Sequence, residues 1–109
     1  AGMTAAAPGF DHRVAELSGI VPGALADPSA LSGMIVAAAS AMGVSAGHPP
    51  LVRRGPHGSS VALVCLDGHV VLHTRPDAGH CFVDAAVRAP GQAGRAIDVI
   101  ARRLGASLT

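Results

Sequence analysis

Apolar and polar residues change their rhythm several times along this 109-residue chain, and each change predicts an element. Phe10 to Leu17, "FDHRVAEL", partly alternates and reads as a first strand. In "ADPSALSGMIVAAASAMG" the period shifts to that of a helix, with Leu31, Met34, Ile35, Ala38 and Met42 on one face. Asp27 can cap that helix, Pro28 suits its first position, and Gly43 is placed to end it. The stretch "VSAGHPPLVRRGPHG", rich in Pro, Gly and basic residues, predicts a short strand and a loop.

"SSVALVCL" and "HVVLHT" are rich in β-branched residues and predict two strands joined at Asp67-Gly68, a common hairpin dipeptide. "GHCFVDAAVR" is a further strand. "PGQAGRAIDVIARRLGA" closes the chain as a helix, with Ile97, Ile100, Ala101 and Leu104 inward and Gly105 as its stop. Strand, helix, consecutive strands, helix predicts an α+β layer fold, an antiparallel sheet with both helices on one face. The whole chain reads as one such domain, and Ala1-Gly2 ahead of Met3 as a cloning remnant. The second face of so small a sheet stays open, which predicts a homodimer that covers it.

Composition narrows the function. Half of the residues are apolar but only 2% are aromatic, with no Trp or Tyr, so the core is aliphatic and little could stack on nucleobases. A formal charge of +1 offers no field for a phosphate backbone, which argues against nucleic acid. No apolar run reaches the roughly 20 residues of a bilayer span, and the first residues lack the basic start of a signal peptide. Cys65 and Cys81 fit no CxxC pattern and read as reduced structural thiols of a cytoplasmic protein.

The densest chemistry lies in "CLDGHVVLHTRPD", residues 65–77. His69 and His73 share one strand face but stand about 13 Å apart at about 3.3 Å per residue, too far to hold one metal ion. No spacing in the chain suggests a metal site. The longer string "GHVVLHTRPDAGHCFVD" resembles the bacterial S-adenosylmethionine decarboxylase family, whose motif is Ser-Glu-Ser-His, three residues, His-Thr-x-Pro-Glu, followed by a Gly and an Ile/Val-Asp strand. His69, His73, Thr74, Pro76, Asp77, Gly79, Val83 and Asp84 fall in matching places. "GPHGSS" resembles that family's Pro-x-Gly-x-Ser loop and puts Ser60 at its serine, and "FDHRVAEL" resembles its first strand.

The resemblance implies a self-cleaving proenzyme in which a serine becomes a pyruvoyl group. At the matching pair this chain has Asp67-Gly68, and glycine carries no nucleophile, so no pyruvoyl cofactor is expected. The family's proton-donating cysteine falls at Arg88, its loop aromatic at Arg54, and the tryptophan of His-Thr-Trp-Pro-Glu at Arg75. Three guanidinium groups around one inferred pocket suit a carboxylate or phosphate rather than a sulfonium cation.

The resulting expectation is an enzyme on a decarboxylase scaffold without the pyruvoyl group. Arg54, Arg75, Arg88 and Asp77 would bind an anionic small molecule, and His73, with Ser60 and with Asp67 or His69, would move protons. Isomerisation, cyclisation or elimination in a bacterial biosynthetic or secondary-metabolic pathway would fit. The alternative is a catalytically inactive paralogue that regulates a true S-adenosylmethionine decarboxylase in polyamine synthesis. A third reading keeps decarboxylation through self-cleavage at Ser59 or Ser60.

Overall fold

A computed structural model describes residues 9–108. Ala1-Gly2, read above as a cloning remnant, lie outside them. The chain forms strand β1 (Phe10–Ser18), helix α1 (Pro28–Ala41), strands β2 (Leu51–Gly55), β3 (Gly58–Cys65), β4 (Gly68–Arg75) and β5 (His80–Arg88), helix α2 (Gly94–Leu104) and a short strand β6 (Ser107–Leu108). Two 3-10 turns, Pro22–Leu25 and Pro76–Ala78, precede α1 and β5. The sheet is antiparallel in the order β2-β3-β4-β5-β1-β6, and both helices pack on one of its faces. This is the α+β layer fold that the alternation of strand and helix periods predicts.

Helix α1 starts as its sequence suggests. Asp27 accepts a hydrogen bond from the Ser29 N–H at 3.0 Å, and Pro28 takes the first position. Leu31, Met34, Ile35, Ala38 and Met42 are all buried. In α2 the inward residues are Ala96, Ile97, Ile100 and Leu104; Ala101 is only partly covered. Gly105 ends α2 with φ 61°, where a side chain would be strained. The core is aliphatic, with Leu17, Val61, Leu63, Val70, Leu72 and Val83 from the sheet meeting Leu31, Ile35 and Ile100 from the helices. Cys65 and Cys81 are free thiols within that core, and burial pushes the Cys81 thiol up to about 12.

The β3–β4 connection differs from the expected Asp67-Gly68 turn. Leu66 and Asp67 make the two-residue loop, with Asp67 at φ 64°, while Gly68 is already the first residue of β4, opposite Cys65. Gly68 is demanded by its neighbour: a Cβ there would sit 2.8 Å from the Ala86 carbonyl oxygen on β5. At the other end of the hairpin, a Cβ on Gly58 would run into the Thr74 carbonyl oxygen. The buried Thr74 hydroxyl donates to the Ser59 carbonyl at 3.3 Å and accepts from the Ser59 N–H at 2.9 Å, which locks β3 to β4 there. Among the described residues no helix is long and apolar enough to cross a membrane.

Candidate functional site

The sheet face away from the helices carries most of the chemistry, and strand register orders it in rows. One row runs Arg53, Ser60, His73, Phe82, Glu16 across β2, β3, β4, β5 and β1. The next is Leu51, Ala62, Val71, Asp84, Val14. The third holds Val64, His69, Ala86 and His12.

In the first row Ser60 Oγ and His73 Nδ1 lie 2.6 Å apart. The His73 ring packs on Phe82 with centroids 6.3 Å apart and planes at 29°. A hydroxyl held on one imidazole nitrogen, with the ring supported from the side, leaves the other nitrogen open to a ligand. At the β1 end of this row Glu16 Oε1 lies 3.0 Å from His80 Nε2.

Between the second and third rows is a group that the sequence reading did not assemble. The Nε2–H groups of His12 and His69 both donate to Asp84 Oδ1 at 3.0 Å. Ala86, directly between the two histidines in register, is small enough for both rings to lean over it. Burial works to raise the Asp84 pKa, but the hydrogen bonds from His69 and His12 outweigh it and hold the carboxyl below its ordinary value. Asp84 and His12 each alternate onto the open face of their strands, a signal present in the sequence. Their meeting depends on the β1–β5–β4 register, which sequence alone does not supply. The described residues contain no cluster of three or more His, Cys, Asp or Glu fit to hold a metal ion.

The remaining site candidates do not come together within one chain. Asp67 sits on the hairpin turn, accepting from Arg88 Nη2 at 2.7 Å, and this hydrogen bond lowers its pKa. It stands six residues, about 20 Å, along β4 from His73. The three arginines expected to line one pocket occupy three places. Arg88 is beside Asp67 and lies 6.0 Å over the Phe10 ring. Arg75 is at the opposite end of β4, about 26 Å away along the strand, and both its Nε and Nη2 donate to Asp77 at 3.4 Å, lowering that carboxyl's pKa. Arg54 pairs with Ser59 in register and therefore lies on the other face of the sheet, on the side of the helices. The expected convergence fails because neighbouring positions in a motif differ in strand parity and in the strand end they occupy.

A six-stranded antiparallel sheet with two helices on one face, and a Ser–His pair on the other, defines a layered α+β protein whose open face mixes polar and apolar side chains. The sequence model of the S-adenosylmethionine decarboxylase family matches residues 11–109, and the chain belongs to that family. Its fold is similar to that of the adenosylmethionine decarboxylase from Aquifex aeolicus VF5, with a TM-score of 0.76 at 21% identity over 92% of this chain and 85% of that one. No curated protein matches the sequence. The family's pyruvoyl group does not fit the residues present: position 68 has no hydroxyl, and the space where a side chain would begin is taken by the Ala86 carbonyl.

Proposed function

We propose that this chain is an acid–base enzyme on the decarboxylase fold that works without a pyruvoyl group. The observation that carries the reading is the 2.6 Å contact between Ser60 and His73 on an otherwise partly apolar face. Imidazole is the side chain whose ordinary pKa suits proton transfer near neutral pH, and a fixed hydroxyl orients its ring. His69, anchored to Asp84 through Nε2, presents its other nitrogen as a second group able to exchange a proton. His73 and His69 of one chain stand too far apart to share a small substrate. His73 of one copy set over His69 of another would suit reactions that remove a proton at one atom and deliver one at another, such as isomerisation, cyclisation or elimination.

A homodimer in the cytoplasm belongs to the same proposal. Phe10, Val14, Leu51 and Val64 are exposed and all lie on the open face, where a second copy would cover them. A two-fold axis across the strands, level with Val71, would set the Ser60–His73 row of one copy over the His69–His12 row of the other. The Arg75 end of each sheet would then meet the Arg88 end of its partner. Such a shared cleft would bring Arg75 and Arg88 together between two chains and take an anionic small molecule there, while Arg54, on the other face of the sheet, stays outside it.

Metabolite profiling tests the enzymatic reading. Bacterial extract is incubated with wild type and with His73→Gln, and consumed compounds are followed by mass spectrometry. The expected result is depletion of an anionic metabolite by wild type only, with S-adenosylmethionine untouched. No His73-dependent change would overturn it in favour of a non-catalytic subunit that pairs with a true decarboxylase through the same open face.

A further inference from the structure

The two helices do not close on each other along their whole length. Where the start of α1 lies beside the end of α2 there is a cavity of about 470 Å³, within the range of small-molecule clefts, roughly 300–1,000 Å³. Leu31, Met34 and Leu104 are the buried part of its lining, and Ala30, Gly33 and Arg103 the exposed part. Gly33 stands in the interior of α1, where glycine weakens a helix. No left-handed backbone calls for it there, and an added Cβ would meet nothing within 4 Å. The fold has no steric use for this glycine; what it keeps open is the cavity. Arg103 is the one charged residue of the lining, and its guanidinium has no hydrogen-bond or ion-pair partner among the described residues.

We infer that this cavity binds an aliphatic monocarboxylate, its hydrocarbon tail on Leu31, Met34 and Leu104 and its carboxylate on Arg103. The lining decides the class. It is apolar except for one cation, so it suits a chain with a single anionic end. A dicarboxylate or a phosphorylated metabolite would bring a further polar group against Leu and Met side chains, where it finds no partner. Met34 is flexible and lets the wall adjust to tails of different length. The site is independent of the proton chemistry proposed for the open face, because both helices pack on the opposite side of the sheet.

Methyl NMR of the full chain labelled at methionine tests the inference, with octanoate below its micellar concentration as the probe. Octanoate should give a saturable shift of the Met34 methyl and leave that of Met42, at the other end of α1, in place. Octanol has the same tail without the charge and should bind about fivefold more weakly, the scale of a partly exposed ion pair. Arg103→Gln should weaken octanoate by about the same factor and leave octanol unchanged. Arg102→Gln should affect neither, because Arg102 borders a different hollow, beside Asp98. Gly33→Leu should abolish binding of both while keeping the wild-type circular dichroism, because its side chain enters open space. Absence of a saturable Met34 shift would overturn the inference, as would undiminished binding in Gly33→Leu. Equal affinity for octanol and octanoate, or equal octanoate affinity in wild type and Arg103→Gln, would overturn the carboxylate class.

Discussion

Replacing Gly68 by serine restores the residue type that the family processes, and the structure predicts that this chain will pay for it in stability. An added Cβ at residue 68 would lie 2.8 Å from the Ala86 carbonyl oxygen, 3.4 Å from Val87 Cα and 3.6 Å from Val44 Cγ2. The first of these is too close for any real side chain, and its partner is backbone in a central strand, so β4 or β5 must shift. Overpacking of this kind costs about 1–3 kcal/mol. Removing a glycine from a strand returns about 0.5–1 kcal/mol of backbone entropy. The expected net effect of Gly68→Ser is a loss of up to about 2.5 kcal/mol, read by urea denaturation at neutral pH. Higher stability would refute the steric argument. The wild-type chain supplies the companion measurement: intact-mass spectrometry should give one species near 10.7 kDa. Two fragments, one with a pyruvoyl cap, would overturn the reading of Gly68 altogether.

Three further outcomes are expected. Val14→Asp puts a charge at the β1 end of the middle row of the open face, at a side chain that is 55% exposed, and should convert a dimer to a folded monomer in sedimentation; a wild type that is already monomeric at micromolar concentration would refute the interface. Asp84→Asn removes a carboxyl whose folded pKa is below its ordinary 3.8, so the stability it lends is complete above that pH and drains away as pH falls through the lowered value. The stability gap between wild type and Asp84→Asn should therefore be widest above about pH 4 and close in stronger acid; a gap that widens on acidification would reverse the sign of the argument. Thr74→Val keeps the shape but strands the Ser59 N–H and carbonyl, and should cost about 1–2 kcal/mol in denaturant titration, within the range for unsatisfied groups at a part-buried site.

What could be read in the sequence was whatever depends on nearby residues. The helical spacing of Leu31 to Met42, the Asp27 cap and the Gly105 stop are local, and each occurs where the pattern predicts it. The 3-10 turns and the two-residue β6 are too short to impose a period. The turn at Leu66-Asp67 was misread by one position because an Asp-Gly pair suggests a local reason for the glycine, while the actual reason is the Ala86 carbonyl eighteen residues away. The arginine pocket failed on a distinction that strand parity does contain. Arg54 shares a face with Ser59 and not with Ser60, so it could not have joined His73. Asp84 and His12 lay in plain sight as open-face positions, but only register brings them to His69.

The tight approach of β4 to β5 links the two departures that matter most. Ala86 presents its carbonyl to the space a side chain at 68 would need, and its own small side chain stands between His12 and His69. A larger residue at 86 would part the two imidazoles from their shared carboxylate oxygen. A larger residue at 68 would push the strand that carries Ala86 and Asp84 away from β4. The glycine is therefore more than a missing nucleophile: it lets β5 lie close enough for the His12–Asp84–His69 group to form. Gly68→Ser should accordingly disturb the ring resonances of His12 and His69 more than that of His73, which lies two rows away on the same strand. Equal disturbance of all three in an NMR titration would show that the effect is general loosening of the sheet. A disturbance confined to the first two would tie the loss of the processing residue to the building of the histidine cluster.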